Sequence, residues 1–128
     1  MKKMISLLIL FTLLLTSCSN DDDRPDPFIG TWYLYKVFVN DTETILSDCK
    51  KLTNILVNAN GLVTSTSYDD SSGTCHLGLE NGIWENQENS NYVITFNEGS
   101  TIINITFEGS NTFYYSSDVN GTNTYKKM

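Results

Sequence analysis

The chain predicts an all-β domain, an antiparallel up-and-down β-barrel of about eight or nine strands, and three observations carry that prediction. From Phe28 onward it is rich in Thr, Val, Ile, Tyr and Phe and poor in Ala and Leu, the composition of half-buried strands. Turn-forming steps recur along it at Asn60-Gly61, Glu98-Gly99, Glu108-Gly109 and Asn120-Gly121. No stretch of ten residues in this part of the chain repeats its apolar residues at the helical period, although Leu46 to Lys51 could form one short turn of helix.

The first element, residues 1–17, is not part of that domain. Lys2 and Lys3 precede an apolar run from Met4 to Leu15 interrupted only by Ser6 and Thr12, and small residues follow at Thr16 and Ser17. A spanning helix needs about 20 apolar residues, and a core helix would show a polar face. The run is too short for the first and apolar all round, which leaves an export signal. Leu15, Thr16, Ser17 and Cys18 resemble the lipobox of bacterial lipoproteins, an aliphatic residue and two small ones before a cysteine. That resemblance implies cleavage before Cys18 and its lipidation with two or more acyl chains, enough for a stable membrane anchor, whereas one chain holds only marginally.

Residues 18–27 read as the lipidated cysteine and an acidic tether. Asp21, Asp22 and Asp23 repel one another, and Pro25 and Pro27 flank the run, so the segment has little apolar surface to bury. The run also resembles the acidic stretch that sends lipoproteins of the Bacteroidetes to the outer face of the outer membrane. Lipid-anchored residence at the outer membrane, on its exposed face, is the expected location.

Residues 28–128 form the third element, about 100 residues with room for one modest core. Strands are expected near Gly30 to Val39, Leu52 to Asn58, Leu62 to Tyr68, Cys75 to Leu79, Gly82 to Asn86, Tyr92 to Asn97, Thr101 to Phe107, Thr112 to Ser117 and Thr122 to Lys127. Strands joined in sequence order leave two edges exposed unless the sheet closes, and a barrel removes both. Alternation places Tyr92, Ile94 and Phe96 on one face of their strand. Ile103, Ile105 and Phe107 continue that face, as do Phe113 and Tyr115, so three neighbouring strands present one apolar wall to the interior.

Once residues 1–17 are removed, 15 acids face six bases, a net charge of −9, which argues against nucleic acid and anionic headgroups as partners. Cys49 and Cys75 remain, an even count in an exported chain, and read as one disulfide. A metal site built on Cys75 and His76 is the alternative; adjacent strand residues point to opposite faces, which disfavours a shared ion.

Gly30-Thr31-Trp32 resembles the Gly-x-Trp motif that opens the first strand of lipocalins. With GTWYLYKVFVN, DCKK, VNANG, TSTSYDDSSGTC, NGIWE, YVITF and ITFEGSNTFYY, the chain is similar over Phe28 to Lys127 to the small lipocalin-like domains of Bacteroidetes lipoproteins. The resemblance implies that Trp32 closes one end of the barrel, that Cys49 and Cys75 form a bridge and that Trp84 lies in the middle. Lipocalins often set an arginine of the last strand against the first tryptophan; here only Lys126 and Lys127 are on offer, without the planar fork.

Catalytic chemistry is poorly provided for. His76 is the sole histidine, no Gly-x-Ser-x-Gly elbow occurs, and neither enzymatic activity nor a metal or other cofactor is expected. Asp69 and Asp70 lie in a loop that lacks the remaining donors of a calcium-binding hand. Two functions remain. In the first, the barrel takes a small apolar or amphipathic ligand lined by Leu34, Trp84 and the wall residues. In the second, the barrel is filled and serves as a tethered module for an envelope protein or glycan, meeting it through loops and aromatics such as Tyr33, Tyr35 and Tyr114.

Overall fold

The computed structural model describes residues 24–117 and 121–128. The signal segment, Cys18, the aspartate run and Asn120 of the Asn120-Gly121 step lie outside the described residues. The domain is all β. β1 (Gly30–Val39), β2 (Thr42–Thr44), β3 (Asn54–Val57), β4 (Leu62–Asp69), β5 (His76–Asn86), β6 (Asn91–Phe96), β7 (Gly99–Asn104), β8 (Thr106–Glu108), β9 (Thr112–Ser117) and β10 (Gly121–Lys127) form a single antiparallel sheet.

Strand neighbours run β7-β6-β5-β4-β3-β1-β10-β9-β8, with β2 off that path as a flap on β1. The two ends of the path, β7 and β8, are separated in the chain by Ile105 alone. The segment therefore changes partners at Ile105. Before it, Asn104 pairs with Asn91 of β6, and after it Thr106 pairs with Tyr114 of β9. The Ile105 N–H donates to the Ser90 carbonyl at 2.8 Å, and the side chain is fully buried. This one bent segment nearly closes the sheet into an up-and-down barrel, although at the seam β7 is paired only with β6 and β8 only with β9.

Turn chemistry sets the register. Asn40 and Asp41 take positive φ (48° and 60°) in the two-residue turn between β1 and β2, a backbone that Asn and Asp tolerate better than most. Gly61 supplies a φ of 88° between β3 and β4. A bulge at Tyr35 shifts β1 against β10, where Leu34 pairs with Tyr125 but Lys36 with Thr124.

Several elements differ from expectation. The strands expected at Cys75 to Leu79 and Gly82 to Asn86 are one, β5, which runs unbroken through Asn81-Gly82 for 11 residues. A Cβ at Gly82 would run into the Thr95 carbonyl oxygen, so this glycine serves a close approach of β6. The strand expected from Thr101 to Phe107 is divided at Ile105. β3 begins at Asn54 because Lys50–Leu52 form a 3-10 turn, close to the helical turn anticipated at Leu46 to Lys51. Cys49 and Cys75 are disulfide-bonded with Cα atoms 5.8 Å apart, tying the loop before β3 to the entry of β5. Both sulfurs are thereby committed, and the pairing of Cys75 with His76 on a metal has no thiolate to use.

Candidate functional site

The barrel interior begins with a sealed end. Asp26 and Pro27 start a turn in which the Ile29 N–H donates to the Asp26 carbonyl at 3.0 Å, Asp and Pro occupying the positions such turns favour. The turn folds Phe28 into the barrel, where it is fully buried. Its ring meets Trp84, Tyr92 and Phe113 at centroid distances of 5.8, 4.8 and 5.7 Å. The Asp26 carboxylate accepts hydrogen bonds from the Phe28 N–H (2.8 Å), the Tyr92 hydroxyl (2.9 Å) and the Asn86 amide (2.7 Å). Burial, and then the carboxylate beside it, hold the Tyr92 hydroxyl well above the ordinary tyrosine range.

Trp32 completes the seal. Its indole N–H donates to the Phe28 carbonyl at 2.7 Å, and its ring packs against Phe113 at 4.7 Å. Lys127, not Lys126, takes the place of the lipocalin arginine, with its ammonium 4.8 Å from the Trp32 ring centre. Trp84 sits at this same end rather than in the middle, donating its indole N–H to the Asn58 carbonyl of the β3–β4 turn at 2.8 Å. Phe107 closes the flank beside Trp32 and Tyr92 at 6.3 and 6.4 Å.

Away from this end the interior loosens along several strands, although at the end itself Trp84 and Phe107 are also only half-buried. On β1, fully buried Trp32 gives way to half-buried Leu34. On β3 the step is from Val57 to Ile55, on β6 from Tyr92 and Ile94 to Phe96, at the end of β7 from Ile105 to Ile103 and on β9 from Phe113 to Tyr115. All of these side chains belong to or pack against one core cluster, so they share one interior. The polar residues Ser65 of β4 and Asn123 of β10 follow buried Val63 and Tyr125 in the same direction. Ten of the wall and lining positions expected from the sequence thus meet in one place, graded from sealed to accessible.

Above Ile105 the wall also parts. β7 continues along β6 and β9 along β10, and a hollow of about 150 Å³ lies between them, lined by Asn104, Thr106, Tyr114, Tyr115 and Ser116. Behind it Tyr125 stacks between Phe113 and Tyr115, at 5.0 and 6.2 Å with nearly parallel rings. Burial, followed by the neighbouring Tyr115, pushes the Tyr125 hydroxyl above its usual range. Asn123 donates its amide to the Tyr115 hydroxyl at 3.2 Å, so the rim of the accessible half is aromatic with polar points.

Asp26, Phe28 and Tyr125 were not among the residues the sequence singled out. Asp26-Pro27 carries a readable turn signal; Tyr125 stands alone among polar neighbours in its strand and carries none. Elsewhere, Asp69 accepts hydrogen bonds from the N–H and hydroxyl of Ser71, which hold its carboxyl below the usual range in an ordinary hairpin loop. Among the described residues, no three His, Cys, Asp or Glu side chains gather to hold a metal ion.

Comparisons with known proteins agree with this architecture. A family model described as lipocalin-like domain matches residues 28–106. The fold is similar to the crystal structure of a lipocalin-like protein from Bacteroides uniformis, with a TM-score of 0.60 and 11% identity over 80% of this chain and 100% of that one. It is also similar to an uncharacterized protein from Bacteroides eggerthii, at a TM-score of 0.58 and 10% identity over 78% of this chain and 98% of that one. No curated protein matches the sequence.

Proposed function

The chain belongs to the lipocalin-like domain family, and from that premise we propose that it is a lipid-anchored, non-catalytic binding protein of the outer membrane whose barrel takes a small apolar or amphipathic ligand. The observation that carries the reading is the burial gradient. Phe28, Trp32, Ile105 and Phe113 leave no exposed surface, whereas Leu34, Ile55, Phe96, Ile103 and Tyr115 face the same interior and retain access to solvent. A cup sealed at one end and lined with apolar side chains at the other gains free energy when an apolar ligand covers that lining, about 25 cal/mol per Å². Ser65, Asn123 and the Tyr115 hydroxyl at the accessible half suit a ligand with one polar end.

The location follows from the lipobox and the aspartate run. Asp26 stands eight positions after Cys18, a reach of at most about 28 Å when fully extended. Asp26 lies at the sealed end, so an anchor at Cys18 holds that end toward the membrane and turns the accessible half away from it.

The test is titration of the mature chain carrying Cys18→Ser with an environment-sensitive apolar dye. Saturable binding near one dye per chain is expected, with loss of at least tenfold in affinity for Ile103→Trp, which enlarges a half-buried lining position beside Tyr92. Non-saturating partition of the dye, or binding indifferent to Ile103→Trp, refutes the barrel as the site.

A further inference from the structure

We propose a second binding site on the outer wall, for an acidic sugar unit of a glycan, in the groove between β1, β10 and the 3-10 turn. The groove encloses about 410 Å³ and is lined by Tyr33, Leu34, Tyr35, Lys51, Lys126 and Met128. It opens on the outer face, where Tyr33 and Lys126 are cross-strand partners while their neighbours Trp32 and Tyr125 point inward; Leu34, which also packs against the core, borders both the groove and the interior.

Charge distribution selects an anion. The whole chain has 15 acids against eight bases, yet Lys51 and Lys126 line this one groove and Lys36 adjoins it. Lys126 places its ammonium 3.8 Å from the centre of the Tyr35 ring and Lys36 lies 5.4 Å from it, so the ring holds two cations at the groove edge. Lys36 and Lys51 each have a carboxylate nearby, Glu43 at 3.8 Å and Asp48 at 3.4 Å. Among the described residues no carboxylate lies within ion-pair distance of Lys126, which leaves its charge available to a ligand.

The form of the groove then selects among anions. An extended acidic peptide gains its main-chain hydrogen bonds by strand addition, and little edge is free for that here, because β1 pairs with β10 and, over Gly30–Tyr33, with β3, and β10 pairs with both β1 and β9. An anionic membrane would face Glu43 and Asp48 together with the lysines, on a protein of strongly negative net charge. A hexuronate needs neither a strand edge nor a broad basic plane. Its flat C–H face can lie on the phenol ring of Tyr33 and the aliphatic stems, its hydroxyls reach the tyrosine oxygens, and its carboxylate meets Lys126 and Lys51.

Calorimetric titration of the mature chain with an oligohexuronate and with its methyl ester decides the matter, because the ester keeps the ring faces and removes the charge. The acid is expected to bind, the ester at least tenfold more weakly. Lys126→Gln and Tyr33→Ala should each weaken binding of the acid fivefold or more, with dye binding inside the barrel unchanged. Should Tyr33→Ala lose its cooperative melt, Lys126→Gln and Lys51→Gln carry the test, both being surface changes. No binding of the acid, equal binding of acid and ester, equal binding of polyglutamate, or capture by anionic vesicles but not by the sugar would each overturn the proposal.

Discussion

The Tyr92 hydroxyl donates to Asp26 Oδ1 at 2.9 Å, joining a residue shortly before the first strand to the second residue of β6, 66 positions later. Because the same carboxylate also holds the Phe28 N–H and the Asn86 amide, one side chain fixes the plug, the β5–β6 corner and the wall. Asp26→Ala should therefore destabilise the domain by about 1 to 2 kcal/mol, the cost of removing a charged acceptor from two part-buried donors and one exposed one. Asp26→Asn should cost less, since an amide oxygen still accepts. Urea unfolding of the three proteins measures this, and a loss below about 0.5 kcal/mol for Asp26→Ala would show that Phe28 is held without it.

Alkali should weaken the fold through tyrosine. Tyr92 and Tyr125 both hold their protons more tightly in the folded barrel than in the unfolded chain, chiefly because burial disfavours the phenolate. The unfolded chain releases those protons near pH 10 while the folded one keeps them. The folded state then binds more protons, so this stability is fully present below about pH 10 and falls as pH rises above it. Urea midpoints measured from pH 8 to 11 should show that fall, and Tyr92→Phe should make it shallower. Identical profiles for the two proteins would place the Tyr92 hydroxyl in solvent.

Reduction of the Cys49–Cys75 bridge releases a loop closed across 26 residues. In the chain-entropy account such a closure contributes about 3.5 kcal/mol, with native values of 2 to 5 common. A loss of roughly 2 to 4 kcal/mol on reduction is expected. The looser motion should be confined to the loop before β3 and the β4–β5 hairpin, read as faster amide exchange at Lys50–Thr53 and Asp69–Leu77, while Trp32 and Phe113 amides at the sealed end stay protected.

The pattern of the wall was legible because period-two alternation is strong wherever one face is apolar and the other is not. Tyr92, Ile94 and Phe96 against Val93, Thr95 and Asn97 give the inward face directly, and Ile103, Ile105, Phe113 and Tyr115 extend it. The gradient along that face was not legible. Tyr92 and Phe96 are both aromatic and inward, and what separates their burial is the distance of each from the Phe28 plug, a tertiary relation absent from the strand pattern. The tether composition, four aspartates and two prolines, hid the plug because its last aspartate, Asp26, is spent on a turn rather than on solvation. Likewise β2 is only three exposed residues, too short for alternation to register. Asn81-Gly82 has turn composition, and only its packing against β6 shows that the glycine is there for space.

That last position gives the sharpest mutational contrast. At Gly82 an added Cβ would meet the Thr95 carbonyl oxygen and come within 2.8 Å of the Phe96 ring. The oxygen is backbone and cannot rotate aside, because Ile83 pairs with Thr95 one residue further along. Gly82→Ala must therefore push β6 away from β5, and a cost of about 2 to 3 kcal/mol is expected from overpacking at a site that cannot yield. Four residues earlier on the same strand, a Cβ at Gly78 would meet only the Ser67 Oγ at 2.6 Å, and that hydroxyl can change rotamer. Gly78→Ala should be within about 0.5 kcal/mol of the parent, or slightly stabilising through the lost flexibility of the unfolded chain. The two alanine variants are compared by urea unfolding, with dye binding as a second readout, since a β6 displaced at Phe96 also disturbs the accessible half of the barrel. Equal stability of the two would mean that β6 does not approach Gly82 closely, and the unbroken run of β5 would then need another cause.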